Sequence, residues 1–275
     1  MTEDKTLAAR FFFRNCAVSI HVPGEMRISH TLKPGPDDVV LDRDFTPADS
    51  PSEFIGEQSD FYRVLDVSSS TTASIIKKAT AIGYMLCNKL PRGGSRCHGF
   101  LCVNAEEGEF ATGQTLFAKA ISQFCNTIWI PGCWLEELQS AYLDDYTGLL
   151  VVDGLLPGSS ELAYIYGLCT NDWVMKSKCR PAKVIPIQSA PYVLVTAPVS
   201  VSQLPTDGSL RRSFVVLDFT ASSLDGTDLR KSLGRSMFTD WGQYQGHLFD
   251  NFMLYCVCEY LKDYSRGNDV FSFYE

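Results

Sequence analysis

One stretch of the chain has the residue types and spacing of a phosphate-binding loop. The segment GEFATGQT contains Gly108, Gly113, Gln114 and Thr115, which is the Walker A pattern Gly-x4-Gly-Lys-Ser/Thr with glutamine in the lysine place. In such a loop the glycines let backbone N–H groups surround phosphate oxygens, and the helix that follows adds a partial positive charge. Thr115 provides the hydroxyl for Mg²⁺, but Gln114 cannot provide the charge.

The change from lysine to glutamine has a large expected cost. A charge-assisted hydrogen bond contributes roughly 1.5–3 kcal/mol to binding. Loss of a preorganised donor to a transition-state anion slows the reaction by about 10²–10³. Glu107 and Glu109 flank the loop with negative charge, which further disfavours a triphosphate. Taken alone, the segment is also compatible with an ordinary strand-to-helix turn that contains two glycines.

An acidic residue follows at the place where a second nucleotide motif belongs. The buried run LLVVD, residues 149–153, ends in Asp153, which is suited to holding Mg²⁺ through water. The next residue is Gly154. Thr115 and Asp153 are therefore the candidate ligands of Mg²⁺, provided that ATP binds at all.

The elements around these residues follow the order of an α/β protein. Strand, glycine loop, helix and strand alternate along the chain, which predicts a parallel sheet flanked by helices. Length and a hydrophobic content of 45% suffice for a substantial core. The predicted elements are strands at 98–104, 149–153, 191–199 and 214–219, a helix at 115–124 and an apolar closing helix at 247–262.

The region before the glycine loop has a different pattern. Residues 10–22 read as a strand, the following stretch to about residue 52 as short strands and turns, and residues 52–89 as helices. The Arg92-Gly-Gly-Ser-Arg96 segment is the best candidate boundary. We therefore predict an accessory region at 1–95, the core at 96–222 and a C-terminal helical segment at 223–275.

Several further segments resemble one protein family. These are VLVTAPVS and the Arg211-Arg212 doublet after the candidate nucleotide motifs, RFFFRNCAVSI near the start, ATAIGYML at 79–86, and the aromatic segment at 237–261. Together with the glycine loop they resemble the superfamily 3 helicase-like ATPases of phage and plasmid primase-helicases, especially those of Bacteroidota mobile elements. The resemblance implies a P-loop NTPase core of the AAA+ type, with a smaller N-terminal α+β region.

The resemblance also implies which functions are missing. The family has a second acid where this chain has Gly154, and a sensor asparagine where it has Ala197 or Pro198. With Gln114 this makes three altered positions, which predicts a degenerate ATPase with no confident catalytic residue and no expected cofactor. Arg211 and Arg212 match a family doublet that acts on the neighbouring subunit's nucleotide. The chain would then join a homo- or hetero-oligomeric ring with an active helicase subunit, although surface arginines are an equal alternative.

A basic segment between the second and third core strands is the candidate nucleic-acid contact. Trp173, Lys176, Lys178 and Arg180 would suit the phosphates and a stacked base of single-stranded DNA. The alternative is a solvated turn after a helix, with Trp173 packed at the edge of the core. The net charge of −8 works against broad attraction to nucleic acid.

Two other functions stay open. One is an active or slow ATP-dependent DNA helicase or NTPase in which another residue replaces the lysine, and Lys119 on the following helix is the nearest in sequence. The other is a protein-interaction relic that binds neither nucleotide nor DNA. The ten cysteines contain no CxxC pair, and the chain has no signal-peptide pattern and no membrane-spanning run. We therefore expect a cytoplasmic protein with free thiols.

Overall fold

The computed structural model describes residues 6–35, 38–90, 99–108, 113–135, 148–156, 158–177, 180–204, 214–220, 236–267 and 271. The chain forms two compact units. One unit combines residues 1–90 with residues 222–275, and the other comprises residues 91–221.

The helices and strands alternate in the second unit and are grouped in the first. In chain order they are β1 (Leu7–Phe13), β2 (Ala17–His21), β3 (Glu25–Ser29), β4 (Val40–Leu41), α1 (Pro51–Ile55), α2 (Asp60–Val67), α3 (Thr72–Leu86), β5 (Gly99–Asn104), α4 (Gln114–Ser122), β6 (Thr127–Pro131), β7 (Leu149–Asp153), α5 (Ser159–Thr170), β8 (Trp173–Ser177), β9 (Arg180–Ile185), β10 (Tyr192–Ser200), β11 (Phe214–Phe219) and α6 (Gln243–Ser265). Two short 3₁₀ turns, Ile187–Ser189 and Val201–Gln203, flank β10.

The first unit pairs a small sheet with a group of helices. The sheet has the order β3-β2-β1-β4, in which only the β1–β4 pair is parallel. Helix α6 lies so close to α3 that a Cβ on Gly83 would overlap the carbonyl oxygen of Cys256. The aromatic ring of Phe61 meets the rings of Phe249 and Phe252 edge to face. The last helix is therefore part of the core of this unit.

This arrangement differs from the three consecutive regions predicted from the sequence. One division falls between residues 90 and 91, and α6 lies in the same unit as the N-terminal region. Asp250 on α6 accepts a bidentate pair of hydrogen bonds from Arg43, Nε to Oδ2 and Nη2 to Oδ1, and the side chain of Asn251 bonds the backbone of Thr46 and Ala48. Contacts between residues so far apart in sequence leave no local pattern.

The second unit is built on a five-stranded sheet in which all strands are parallel. The strand order is β11-β5-β10-β7-β6, and helices flank the sheet, as predicted for a P-loop NTPase-like α/β fold. Four of these strands are predicted from their apolar runs. The sequence prediction does not include the edge strand β6, in which only Ile130 of the five residues is buried. In this topology the carboxyl ends of β5, β10 and β7 lie side by side, where ligands of such sheets bind.

The basic segment between α5 and β10 forms an antiparallel hairpin. Strands β8 and β9 pair from Trp173 opposite Ile185 to Ser177 opposite Arg180. The sequence indicates a loop or turn here, because the segment is short and rich in charge. Within the described part of the chain, no helix is both long and apolar enough to cross a membrane.

Candidate functional site

The glycine loop lies at the predicted strand-to-helix junction. Strand β5 ends at Asn104, and α4 begins at Gln114. Gly108 and Gly113 have φ angles of 79° and 89°, which glycine adopts without the strain that a side chain would bring. Residues 109–112 lie outside the described part of the chain. The two glycines that flank these residues therefore adopt backbone conformations that favour glycine.

The hydroxyl and the acid predicted to share Mg²⁺ lie close together. Asp153 ends β7, which is separated from β5 by β10 alone. Thr115 Oγ1 donates a hydrogen bond to Asp153 Oδ1 over 3.3 Å. The sequence motifs thus converge at one edge of the sheet, as their order along the chain predicts.

Gln114, in the lysine position, points into the protein and is only 7% exposed. Its Nε2 donates to Asn104 Oδ1 over 2.7 Å and to the carbonyl oxygen of Ala197 over 3.3 Å. Its Oε1 accepts the backbone N–H of Ala197 over 3.1 Å. Both donors and the acceptor of this amide are therefore used inside the protein. We refer to these contacts as the Gln114 clasp.

The clasp fills a gap in the ladder between β10 and β5. Thr196 lies opposite Cys102, and Ser200 lies opposite Asn104. Strand β10 therefore has more residues than β5 between these two pairs, which makes β10 bulge. A bulge leaves backbone groups without their ladder partners. Ala197 exposes one N–H and one C=O, and an amide is the side chain that offers both an acceptor and a donor. Lysine offers only donors, and a carboxylate only acceptors.

A second set of contacts holds the end of β7 to β10 through Thr196. Its Oγ1 donates to Asp153 Oδ1 over 2.7 Å and accepts the N–H of Gly154 over 2.8 Å. The carbonyl oxygen of Thr196 accepts the N–H of Leu155 over 2.9 Å. Asp153 Oδ1 thus accepts from two hydroxyls, those of Thr115 and Thr196. We refer to these contacts as the Thr196 bridge.

Gly154, which the resemblance aligns with a second acid, has a left-handed backbone. Its φ angle is 71°, and a Cβ built on it would meet no atom within 4 Å. The space is open, so the left-handed backbone is what favours glycine here. A glutamate or aspartate at this position would be held in a conformation that costs roughly 1–2 kcal/mol. The backbone at this position therefore favours glycine over an acidic residue.

Three site residues carry functions that the sequence does not reveal. Asn104 and Thr196 complete the clasp and the bridge, and Gln203 donates from Nε2 to Glu107 Oε1 over 2.6 Å. The one sequence signal is that Asn104 and Thr196 are polar residues in otherwise apolar strands. No periodicity predicts which partner each of them meets.

Other candidates from the sequence lie elsewhere. Lys119 is exposed and sits in the last turn of α4, away from the end that carries Gln114. Arg211 and Arg212 lie outside the described residues. Across the described residues, no group of three or more His, Cys, Asp or Glu side chains could hold a metal ion.

Trp173 does not offer a free ring to a nucleic acid. It is 2% exposed, and its Nε1 donates to the carbonyl oxygen of Leu168. Its ring belongs to the same apolar cluster as Leu162 and Ile165, so the predicted stacking role is corrected to a packing role. Lys176 and Arg180 lie on the two strands of the hairpin, and Lys178 falls outside the described residues.

The buried cysteines of the first unit are unsuited to nucleophilic chemistry. Burial raises the pKa of the Cys258 thiol to about 12 and also raises the pKa values of Cys87 and Cys256. A thiol with such a pKa stays protonated near neutral pH and is a poor nucleophile. The eight cysteines in the described residues are free, as predicted.

Solved helicase structures resemble the chain at low similarity. The A-form apo structure of the NrS-1 C-terminal region has 11% identity and a TM-score of 0.47, and the match covers 92% of this chain and 65% of that one. The X-ray structure of JCV helicase has 14% identity and a TM-score of 0.37, and the match covers 76% of this chain and 61% of that one. This chain spans less than two thirds of either structure.

No protein-family model and no curated protein matches the chain. Because the TM-scores are low, the P-loop NTPase-like fold rests on the strand order of the parallel sheet and on the glycine loop at the junction of β5 and α4.

Proposed function

We propose that this chain is a helicase-like P-loop domain that does not hydrolyse nucleotide and serves as a scaffold in a nucleic-acid-associated assembly. The Gln114 clasp is the observation that carries the proposal. A side chain whose donors and acceptor are all satisfied by Asn104 and Ala197 has nothing left to offer a phosphate. The glutamine has taken over a structural role that lysine could not perform.

The other two altered positions support the same conclusion. Gly154 adopts a left-handed backbone where an acid would orient the attacking water, and Ala197 has given its backbone to the clasp where a sensor would bind the γ-phosphate. Thr115 and Asp153 could still hold Mg²⁺, but their oxygens already bond to each other and to Thr196. Each lost interaction would have to supply a few kcal/mol of the barrier reduction.

The first test is nucleotide turnover by the full chain and by Gln114→Lys. We expect neither protein to release phosphate from ATP–Mg²⁺. Lysine at this position would leave the N–H of Ala197 without an acceptor and would bury an ammonium group, so the variant should lose roughly 1–3 kcal/mol of unfolding free energy.

The matched control for stability is Gln123→Lys, at an exposed position just after α4. It should unfold at the same urea concentration as the unmodified chain. Saturable ATP binding with phosphate release by the unmodified chain would refute the proposed function.

The β8–β9 hairpin is the proposed contact with single-stranded DNA. Lys176, Lys178, Arg180 and Lys183 fall within residues 173–185, which contain no acidic residue, in a chain of net charge −8. A local basic arm of this kind binds phosphates through counterion release. With Trp173 buried, the contact would be electrostatic and without base stacking on that ring.

Fluorescence anisotropy with a labelled oligonucleotide tests this contact. Replacing Lys176, Lys178 and Arg180 by serine should weaken binding and flatten its dependence on salt, because each phosphate contact with a single strand contributes about 0.7 to the slope of log K against log salt. Trp173→Phe, which keeps an aromatic residue in the core, should leave the salt slope unchanged. Binding that ignores salt, or no binding at all, would remove DNA from the proposal.

The assembly itself is proposed from the family resemblance. In this proposal the chain does not hydrolyse nucleotide itself. Instead, Arg211 or Arg212 contacts the nucleotide bound by an active helicase subunit during the replication of a phage or mobile element. Mixing the chain with such a subunit and measuring its ATPase rate against an Arg211→Ala, Arg212→Ala variant would test that role. An unchanged rate would mean that the chain is an interaction domain whose arginines do not act on the neighbouring subunit's nucleotide.

A further inference from the structure

One peptide group of β10 takes part in both the Gln114 clasp and the Thr196 bridge. The N–H of Ala197 donates to Gln114 Oε1 over 3.1 Å, and the carbonyl oxygen of Thr196 accepts the N–H of Leu155 over 2.9 Å. The N–H of a residue and the C=O of the residue before it belong to one planar peptide unit. In a trans peptide these two groups point in opposite directions. This unit therefore bonds α4 on one side and the segment after β7 on the other.

The neighbouring bonds restrain the same peptide group from turning. The hydroxyl of Thr196 donates to Asp153 over 2.7 Å. On the other side, Gln114 Nε2 donates to the carbonyl oxygen of Ala197 over 3.3 Å. Thr196, Ala197 and Leu155 are almost fully buried. If the peptide group turned, it would lose its bonds to both sides at once, and buried N–H and C=O groups without partners are costly.

The contact continues from Leu155 to the segment after β6. A Cβ on Gly132 would lie 2.5 Å from Leu155 Cα and 2.7 Å from the backbone nitrogen of Leu155, which is closer than Cβ atoms come to backbone in proteins. This nitrogen is the one whose N–H reaches Thr196. A side chain at residue 132 would therefore have to displace the backbone that bonds β10.

We propose that the Gln114 clasp and the Thr196 bridge form one lock, which opens and closes as a unit because both depend on the peptide group between Thr196 and Ala197. The lock couples the first residue of α4 to the end of β7 and, through Leu155, to Gly132. A ligand or partner that displaces one of these segments would change the others, and the effect would be reciprocal. The inference goes beyond the proposed function, since the coupling does not depend on whether nucleotide is hydrolysed.

Three backbone amides report the state of the lock in hydrogen-exchange measurements on the full chain. The N–H of Ala197 donates to Gln114 and therefore reports the clasp. The N–H groups of Gly154 and Leu155 donate to the hydroxyl and to the carbonyl oxygen of Thr196 and report the bridge. Amides of residues 150–152 inside β7 serve as the reference for opening of the whole sheet.

Two substitutions each remove the acceptor of a single reporter. Gln114→Ala removes the acceptor of the Ala197 N–H and no group that contacts Gly154 or Leu155. Thr196→Val removes the acceptor of the Gly154 N–H and keeps the backbone that bonds Leu155. The matched controls, Gln123→Ala and Thr170→Val, make the same changes at exposed positions.

We expect Gln114→Ala to lower the protection of Gly154 and Leu155 by about the same factor as that of Ala197, roughly five- to tenfold for one buried hydrogen bond. Thr196→Val should lower the protection of Ala197 to a similar extent, and the two control variants should change none of the three amides. Protection lost only at the amide whose acceptor was removed would overturn the lock. So would an equal loss at residues 150–152, because the whole sheet would then be opening.

Gly132→Ala tests the lock from its far end and does not depend on whether Gln114→Ala folds. It should lower the protection of Ala197 as well as that of Leu155, although residue 132 belongs to neither the clasp nor the bridge. Loss at Leu155 with full protection at Ala197 would overturn the lock. ATP hydrolysis by the unmodified chain would instead refute the proposed function and leave this inference unchanged.

Discussion

At the scale of single residues, Gln114 shows how a side chain in a nucleotide-motif position can have a structural role. Glutamine in the lysine place looks like simple decay when only the motif is considered. In the fold, its amide is the one side-chain group that satisfies both free backbone atoms of Ala197. The same holds for Thr196, whose hydroxyl donates to Asp153 while accepting from Gly154.

The Thr196 bridge leads to a residue-scale prediction. Thr196→Val keeps the shape of the side chain but removes the hydroxyl, which leaves the N–H of Gly154 without its acceptor and Asp153 with one donor fewer. We expect a loss of roughly 1–3 kcal/mol in the free energy of unfolding, measured by urea titration.

Thr170→Val is the matched control for this substitution. The hydroxyl of Thr170 is exposed at the end of α5 and bonds to the carbonyl oxygen of Tyr166 within its own helix. Its removal should cost far less. Equal losses in the two variants would mean that the bridge contributes nothing beyond an ordinary surface hydrogen bond.

At the scale of secondary structure elements, the contact between α3 and α6 depends on a glycine. Gly83 lies within α3, where glycine is normally unfavourable by about 1 kcal/mol relative to alanine. Here a Cβ would overlap the carbonyl oxygen of Cys256 and come within 2.7 Å of Tyr260 Cβ. The glycine thus allows the two helices to approach closely, at the cost of a lower helix propensity in α3.

Two glycine-to-alanine substitutions should therefore have opposite signs. Gly83→Ala should destabilise the protein, because backbone atoms of α6 would have to move and close packing would be lost. Gly246→Ala, in the first turns of α6 where a Cβ meets no atom within 4 Å, should stabilise it by about 0.5–1 kcal/mol. Thermal unfolding of both variants measures the difference, and two shifts of the same sign would contradict the role given to Gly83.

At the scale of the whole molecule, the first unit is made from the two ends of the chain. Helix α6 supplies Phe249 and Phe252 to the aromatic group around Phe61, and it supplies Asp250 to the buried end of the ion pair with Arg43. The second unit is one continuous segment. The two units therefore differ in how they respond to truncation.

Removing residues 236–275 tests this difference. The truncated chain would expose the apolar surfaces of α2 and α3 and leave Arg43 without its partner. We expect loss of amide protection from hydrogen exchange across residues 6–90, with protection retained in β5, β7 and β10. Retained protection in α3 would show that the N-terminal region folds without α6.

The elements that could be predicted are those encoded by residues that are close together in the sequence. The glycine loop, the strand that ends in Asp153 and the helix from 72 to 86 are encoded by short runs of residue types, and the structure places each where the pattern indicates. The edge strand β6 and the β8–β9 hairpin contain only short apolar runs, at 128–130 and 173–175, without a clear alternation. Their strand character depends on neighbours that are distant in sequence.

The amino-acid sequence by itself determined the class of the core, the position of the phosphate-type loop and the absence of a lysine from it, because these follow from residue identity and short-range periodicity. The tertiary structure alone decided the long-range contacts: which backbone groups Gln114 satisfies, which carboxylate oxygen of Asp153 bonds to Thr196, and which unit α6 completes. These contacts arise from strand register and a bulge in β10, and register is set by the packing of the whole sheet.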